Sequence, residues 1–286
     1  MTTTSPSWAP SWIPSWLALP LDVSWRSLLL FINANGWSWA GALGLFLFLS
    51  VPPLMVASAF LASLLFPESE AKAFVITQAA KFVPAESSLL QSVLVREEPI
   101  ATGAGVVSLA FLLFAGSRAF AALASAINRM YGRTDELSFW GTQRSRAWLL
   151  VLSLVLLALA GVAEAGITAL TGTQAGEQVW LLDWQVLPFL LIGVFLFIAY
   201  RVLPQAEVTW QHAAIGALLA AIGVRISQAV MGVMSSMGTF DNPYGDLAGV
   251  GLMATWALVA GVAILLGASL VAVLGGHDRD GDTDEG

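Results

Sequence analysis

The sequence predicts an all-α polytopic membrane protein: six transmembrane helices with short interfacial amphipathic helices beside them. Three observations predict it. Only 11% of the 286 residues are charged and 57% are hydrophobic, with a mean hydropathy of +0.78, whereas about a quarter of a soluble domain is charged. The charges are clustered, leaving uncharged runs such as 27–67 and 247–276, and about 20 apolar residues suffice to cross the hydrocarbon core. Tryptophans gather near the ends of these runs, at Trp140, Trp148, Trp180, Trp184 and Trp210, where the membrane–water interface favours an amphipathic ring.

Composition also excludes several functions. The chain has no cysteine, so disulfides, zinc-thiolate sites and thiol catalysis are ruled out. His212 and His277 are its only histidines, too few for a multi-histidine metal site. A net charge of −7 does not suit nucleic acid, which selects a basic face. There is no phosphate-cradling loop with lysine, no nucleophile elbow and no paired-carboxylate site. The expectation is therefore no enzyme, no cofactor and no metal, with membrane lipids as the surroundings. The N-terminus lacks the basic region of a signal peptide, so the first long apolar run is expected to persist as a helix.

The chain divides into a Pro/Ser/Trp-rich tail with an interfacial helix (1–36), a six-helix membrane domain (37–275) and an acidic tail (276–286). Pro6-Ser7-Trp8 recurs four residues later and again at Pro14-Ser15-Trp16; proline at this density blocks a regular helix. The segment is a disordered tail or a tail lying on the headgroups. Leu21 to Asn33 then reads as a short interfacial helix.

The first span is Trp39 to Phe66, with a kink or break expected at Pro52 and Pro53, where backbone donors are lost. The 68–99 connection carries two helical patterns separated by Pro84, read as amphipathic helices on the membrane surface. Span two lies within Ile100 to Ile127, span three runs from about Trp148 to Leu170, and span four is Leu181 to Leu203. Span five is Trp210 to about Met234, and span six fills Leu247 to Gly276. Arg129, Arg133, Arg144 and Arg146 surround the loop after span two, while the loops after spans three and five hold no basic residue. Basic loops stay on the cytoplasmic side, so both termini are expected there. Stripes of small residues, such as Ala119, Ala122 and Ala126 or Gly216, Ala220 and Gly223, are read as close helix contacts.

Charges inside the spans are the candidates for function. A charge at bilayer depth costs at least about 2.5–3.5 kcal/mol on the insertion scale, so it should face the bundle interior or water. Glu164 lies 18 residues beyond Arg146 and Arg225 lies 16 beyond Thr209, about 27 and 24 Å along a helix. These similar heights make Glu164–Arg225 the expected structural ion pair. Arg118 is left without an evident acidic partner. By 3.6-residue periodicity its face also carries Ala122, Ser125 and Arg129. Arg118, Ser125 and Arg129 are therefore the candidate binding residues for an anionic solute or lipid phosphate. The alternative is that Arg118 bonds free carbonyls and all three charges are structural.

Several motifs are distinctive in this order. They are Leu47-Phe48-Leu49-Ser50-Val51-Pro52, Ser117-Arg118, Ala126-Ile127-Asn128-Arg129-Met130-Tyr131, Tyr200-Arg201-Val202-Leu203-Pro204, Tyr244-Gly245, Trp256 and Leu266-Gly267-Ala268. Through them the chain resembles the YihY/BrkB family of bacterial inner-membrane proteins, once misnamed ribonuclease BN. The resemblance covers roughly residues 39–274. It implies six helices with both ends cytoplasmic, and it marks Asn128, Tyr200, Arg201, Pro204, Tyr244, Gly245 and Trp256 as family positions. Members have been linked to serum resistance, envelope lipid export and solute transport. Two departures stand out: Ser269 occupies a position where the family commonly has glutamate, and Asp246 one where a small residue is usual.

The resulting expectation is a transporter or flippase-like protein for a lipid or other anionic amphiphile, with Arg118 at the anionic group. The rivals are a non-transporting envelope scaffold and an exporter of small soluble solutes.

Overall fold

A computed structural model of the chain describes residues 15–63, 104–132, 186–237 and 248–277, with a few positions between 67 and 76. These residues form six helices: α1 (Ser15–Asn33), α2 (Gly36–Ser63), α3 (Ala104–Met130), α4 (Leu187–Val202), α5 (Trp210–Ser236) and α6 (Ala248–Leu274). The fold is all-α. Helices α2 to α6 correspond to expected spans one, two, four, five and six. Span three lies outside the described residues, as do Glu164, Tyr244, Gly245 and nearly all of the 68–99 connection. Trp210–Met234 and Gly249–Leu274 are each long and apolar enough to cross a membrane, and Pro188–Val202 is a shorter apolar helix.

The first helix begins earlier than the sequence suggests. It starts at Ser15 and carries Pro20 within it. A proline near a helix start removes a single backbone donor, here the partner of the Trp16 carbonyl, so the helix tolerates it. Pro52 and Pro53 likewise do not break α2, which stays helical to Ser63. Just before them the Ser50 hydroxyl donates to the Leu47 carbonyl at 2.8 Å. Such back-bonding and local adjustment is how membrane helices absorb proline.

Helix α6 is the centre of the described bundle, packed against α5, α2 and α1, and α2 packs in turn along α3. Antiparallel crossings are made where glycine removes the side chain. A Cβ on Gly44 would lie 2.9 Å from the Ala257 carbonyl, and one on Gly261 would lie 2.7 Å from the Ala40 carbonyl, joining α2 to α6. A Cβ on Gly216 would meet the Gly267 carbonyl at 2.9 Å, and one on Gly223 would meet Ala263 at 2.9 Å, joining α5 to α6. With lipid on the outside there is little hydrophobic gain in pairing helices, so close packing of small residues supplies much of the attraction.

The core runs from Phe31 and Ala34 through Ile127, Met130 and Tyr131 to Tyr200, Leu203, Ala213 and Val271. It therefore gathers the ends of α1, α3, α4 and α6 with the starts of α2 and α5. This convergent end holds most of the polar architecture described below.

Candidate functional site

Asn128 closes the convergent end. It is 5% exposed and lies in the last turn of α3. Its Nδ2 donates to the Ala124 carbonyl at 2.9 Å and to the Leu203 carbonyl at 3.1 Å, and its Oδ1 accepts from the Gln205 backbone N–H at 2.8 Å. One side chain thus satisfies backbone groups in the turn that follows α4. That turn is also tied by the Arg201 guanidinium, which donates to the Val208 carbonyl. Pro204 is buried there, where it ends the helical run without needing a donor. Asn128, Arg201 and Pro204 therefore form one clamp joining α3 to the α4–α5 turn.

Tyr200 extends the clamp to α6. It is among the most completely buried large side chains, and its hydroxyl donates to the Ile264 carbonyl. The same hydroxyl lies 2.7 Å from where a Gly267 Cβ would be. Ser269, at the position where a glutamate was expected by resemblance, is fully buried. Its hydroxyl donates to the Leu266 carbonyl on its own helix at 2.8 Å. Because that bond joins no second helix, Ser269→Ala should shift stability by less than about 1 kcal/mol, read as an unchanged melting temperature in detergent.

Helix α6 ends in a Schellman motif. The Gly276 N–H reaches the Val273 carbonyl at 3.0 Å and the His277 N–H reaches the Ala272 carbonyl at 3.1 Å, with Gly276 at φ +81°, the left-handed residue such a cap requires. The cap sets the His277 ring edge-on to Tyr131, centroids 4.8 Å apart. Tyr131 Oη and His277 Nδ1 are both buried without a hydrogen-bond partner among the described residues, and burial pushes the Tyr131 phenol up from its ordinary value.

The candidate cations are placed differently. Arg118 is exposed on α3, in line with exposed Val107, Phe111 and Phe114, three or four residues apart and hence on one face. Its guanidinium carbon lies 5.9 Å from the centroid of the Phe46 ring on α2, within cation–π range. Ala122, one turn further, is buried, Ser125 is half-buried and Arg129 is exposed near the helix end. Arg118 thus lies beside an aromatic ring, while Ser125 and Arg129 follow on the same helix face two and three turns further on. Arg225 is half-buried on α5 and donates to the Gln228 side-chain oxygen at 2.8 Å; its expected partner Glu164 lies outside the described residues. Trp256 is half-buried on α6, and its indole N–H is buried with no partner among the described residues.

Sequence reasoning missed Phe46, which no motif marks, and the Tyr131–His277 contact. Gly275-Gly276 after an uncharged run was the available signal for the latter, since it announces a helix cap.

A family model described as virulence factor BrkB matches residues 30–285 of the chain. Curated relatives are similar to parts of it. A UPF0761 membrane protein of Tolumonas auensis is 28% identical over 148 residues, 48% of this chain and 49% of that protein. A UPF0761 membrane protein of Stenotrophomonas maltophilia is 35% identical over 102 residues, 35% of this chain and 24% of that protein. One of Xanthomonas oryzae is 33% identical over 129 residues, 44% and 30% of the two chains. The chain thus spans half or less of the length of these relatives. No solved structure matches. With the family model covering most of an apolar, all-helical chain, this protein belongs to the YihY/BrkB family of membrane proteins.

Proposed function

We propose that this protein is a transporter or flippase-like protein of the cytoplasmic membrane, taking a lipid or other anionic amphiphile from the side of the bundle. The observation that carries the reading is Arg118. It is a cation well inside α3, on an exposed face otherwise made of Val107, Phe111 and Phe114, with the Phe46 ring as its contact among the described residues. A charge there is costly against hydrocarbon and would be stabilised by an anionic headgroup drawn into the membrane. The neighbouring aromatic rings would accept the acyl chains. The exposed Arg129 and Arg201 at the convergent end support a cytoplasmic placement of that end, and hence of both termini.

The test is scrambling of a fluorescent phosphatidylglycerol in liposomes holding the purified full chain. Arg118→Gln should lower the rate by about tenfold or more, the loss of one charge-assisted contact of about 1.5–3 kcal/mol. Arg118→Lys should retain part of the activity. Equal rates for wild type and Arg118→Gln at matched insertion would overturn the assignment.

A second reading, a non-transporting scaffold, draws on the packed interior. Among the described residues the buried serine and asparagine side chains are Ser27, Asn128, Ser227 and Ser269, and each bonds a backbone carbonyl. Wild-type protein that scrambles no lipid and moves no soluble anion would favour it.

A further inference from the structure

The first helix meets three different surroundings at once. Ser27, Phe31 and Ala34 are buried against the bundle, where α1 packs on α6. Leu21, Trp25, Leu28 and Ile32 form a separate exposed apolar face, with Trp25 58% exposed. At 100° per residue, Asp22, Arg26 and Asn33 fall on a third flank, roughly 100° around from that face. Arg26 and Asp22 face each other there at 3.7 Å, and no other charged residue lies in the helix. Leu29, 39% exposed, falls between the apolar face and this flank, so one side is protein, one apolar and one mainly polar.

The corner that orients this helix is locked. The segments Pro20–Asn33 and Gly36–Pro52 meet at 75°. Asn35 takes φ +58°, and a Cβ on Gly36 would lie 2.4 Å from the Phe31 ring. Phe31 and Trp37 stack edge to face across the corner, centroids 5.5 Å apart. With α2 crossing the bilayer, this angle lays α1 close to the membrane plane. Trp37 and Trp210, at the starts of α2 and α5, are exposed at the same end as Trp25, which marks the level of an interface.

We infer that α1 is an in-plane helix whose Leu21–Trp25–Leu28–Ile32 face sits in the acyl-chain boundary of the leaflet at the convergent end. Its occupant is lipid hydrocarbon rather than a charged headgroup, because the two charges of the helix are already paired. The inference is independent of transport by Arg118. It predicts insertion into neutral and anionic bilayers alike.

The absence of native cysteine permits a direct test on the full chain, in vesicles of phosphatidylcholine with and without phosphatidylglycerol. Trp25→Cys, Leu28→Cys and Ile32→Cys should react with a membrane-impermeant maleimide about tenfold more slowly than Asn33→Cys, a ratio equal to about 1.4 kcal/mol. Nitroxide labels at the first three positions should sit about 5–10 Å below the phosphates. These positions are exposed, so folding should survive, and an unchanged melting temperature checks it. Leu21→Cys is the substitute wherever a variant melts early. Equal reactivity of both faces would overturn the inference. So would protection that requires phosphatidylglycerol, or spin–spin broadening between labelled copies, which would mark the face as a contact with a second chain.

Discussion

Replacing Gly267 by alanine should destabilise the protein by about 3 kcal/mol, at the upper end of what an added methyl costs in a packed core. The new Cβ would meet the Tyr200 hydroxyl at 2.7 Å, the Ala220 Cβ at 2.7 Å and the Gly216 carbonyl at 2.9 Å. These contacts come from α4 and α5, so no single rigid shift of α6 relieves them all. The melting temperature in detergent should fall by roughly 6–12 °C. Gly41 and Gly193 are the controls, since a Cβ there would meet nothing within 4 Å. Alanine at either should be neutral or stabilising by up to about 1 kcal/mol through helix propensity. If all three variants melt together, the close crossing of α5 and α6 is wrong. A double variant refines the test. Tyr200→Phe removes one of the three clashing atoms, so its combination with Gly267→Ala should be less destabilised than the sum of the two singles.

The second large effect is expected at Asn128. Asn128→Ala removes three hydrogen bonds at once and leaves the Leu203 carbonyl and the Gln205 N–H without that partner. A buried backbone group without a partner costs about 1–3 kcal/mol, and membrane helices often recover part of such losses by finding others. A net loss of about 2–3 kcal/mol follows. Asn128→Asp should be at least as harmful, since it turns a carboxylate oxygen toward the Ala124 and Leu203 carbonyls in place of a donor. Global stability alone would not separate the clamp from ordinary packing. Hydrogen exchange does: the Gln205 amide should exchange much faster in Asn128→Ala, while amides in mid-α5 should change little. A Gln205 amide that exchanges equally in both proteins would remove the clamp from the account.

Both predictions recast the family positions. Asn128, Tyr200, Arg201 and Pro204 are recognisable in the sequence as a motif set, and a reader of the sequence would be tempted to give them chemistry. The observed partners of Asn128, Tyr200 and Arg201 are backbone carbonyls and one backbone N–H, and Pro204 is buried in the same turn. They join the turn after α4 to α3 and α6. A position held by three hydrogen bonds, as Asn128 is, needs that residue for structural reasons.

Arg118 shows where periodicity stops being informative. Its intramembrane charge is legible in one dimension, and so is its shared helix face with Ala122, Ser125 and Arg129. The structure exposes Arg118 and buries Ala122. Toward the convergent end the α4–α5 turn and the end of α6 close around α3, as the contacts of Asn128 and Tyr131 show. Further back α2 is its main described neighbour. A single helical face therefore passes from exposed Arg118 to buried Ala122 and back to exposed Arg129.

The sequence alone determined that this is an all-helical membrane protein, and it placed most spans to within a few residues. The reason is that a bilayer acts on each residue separately: every charge or unpaired backbone group in hydrocarbon is costly wherever the rest of the chain lies. Such a constraint is written locally, as uncharged runs with tryptophan at their ends. Tertiary structure decided the remainder, including the unbroken passage through Pro52 and Pro53, the 75° corner before α2 and the close contact of Gly267 with Tyr200. It also brought Asn128 to residues 75 and 77 positions away. These are properties of pairs of residues far apart in the chain, and no local pattern of hydrophobicity encodes which pairs will meet.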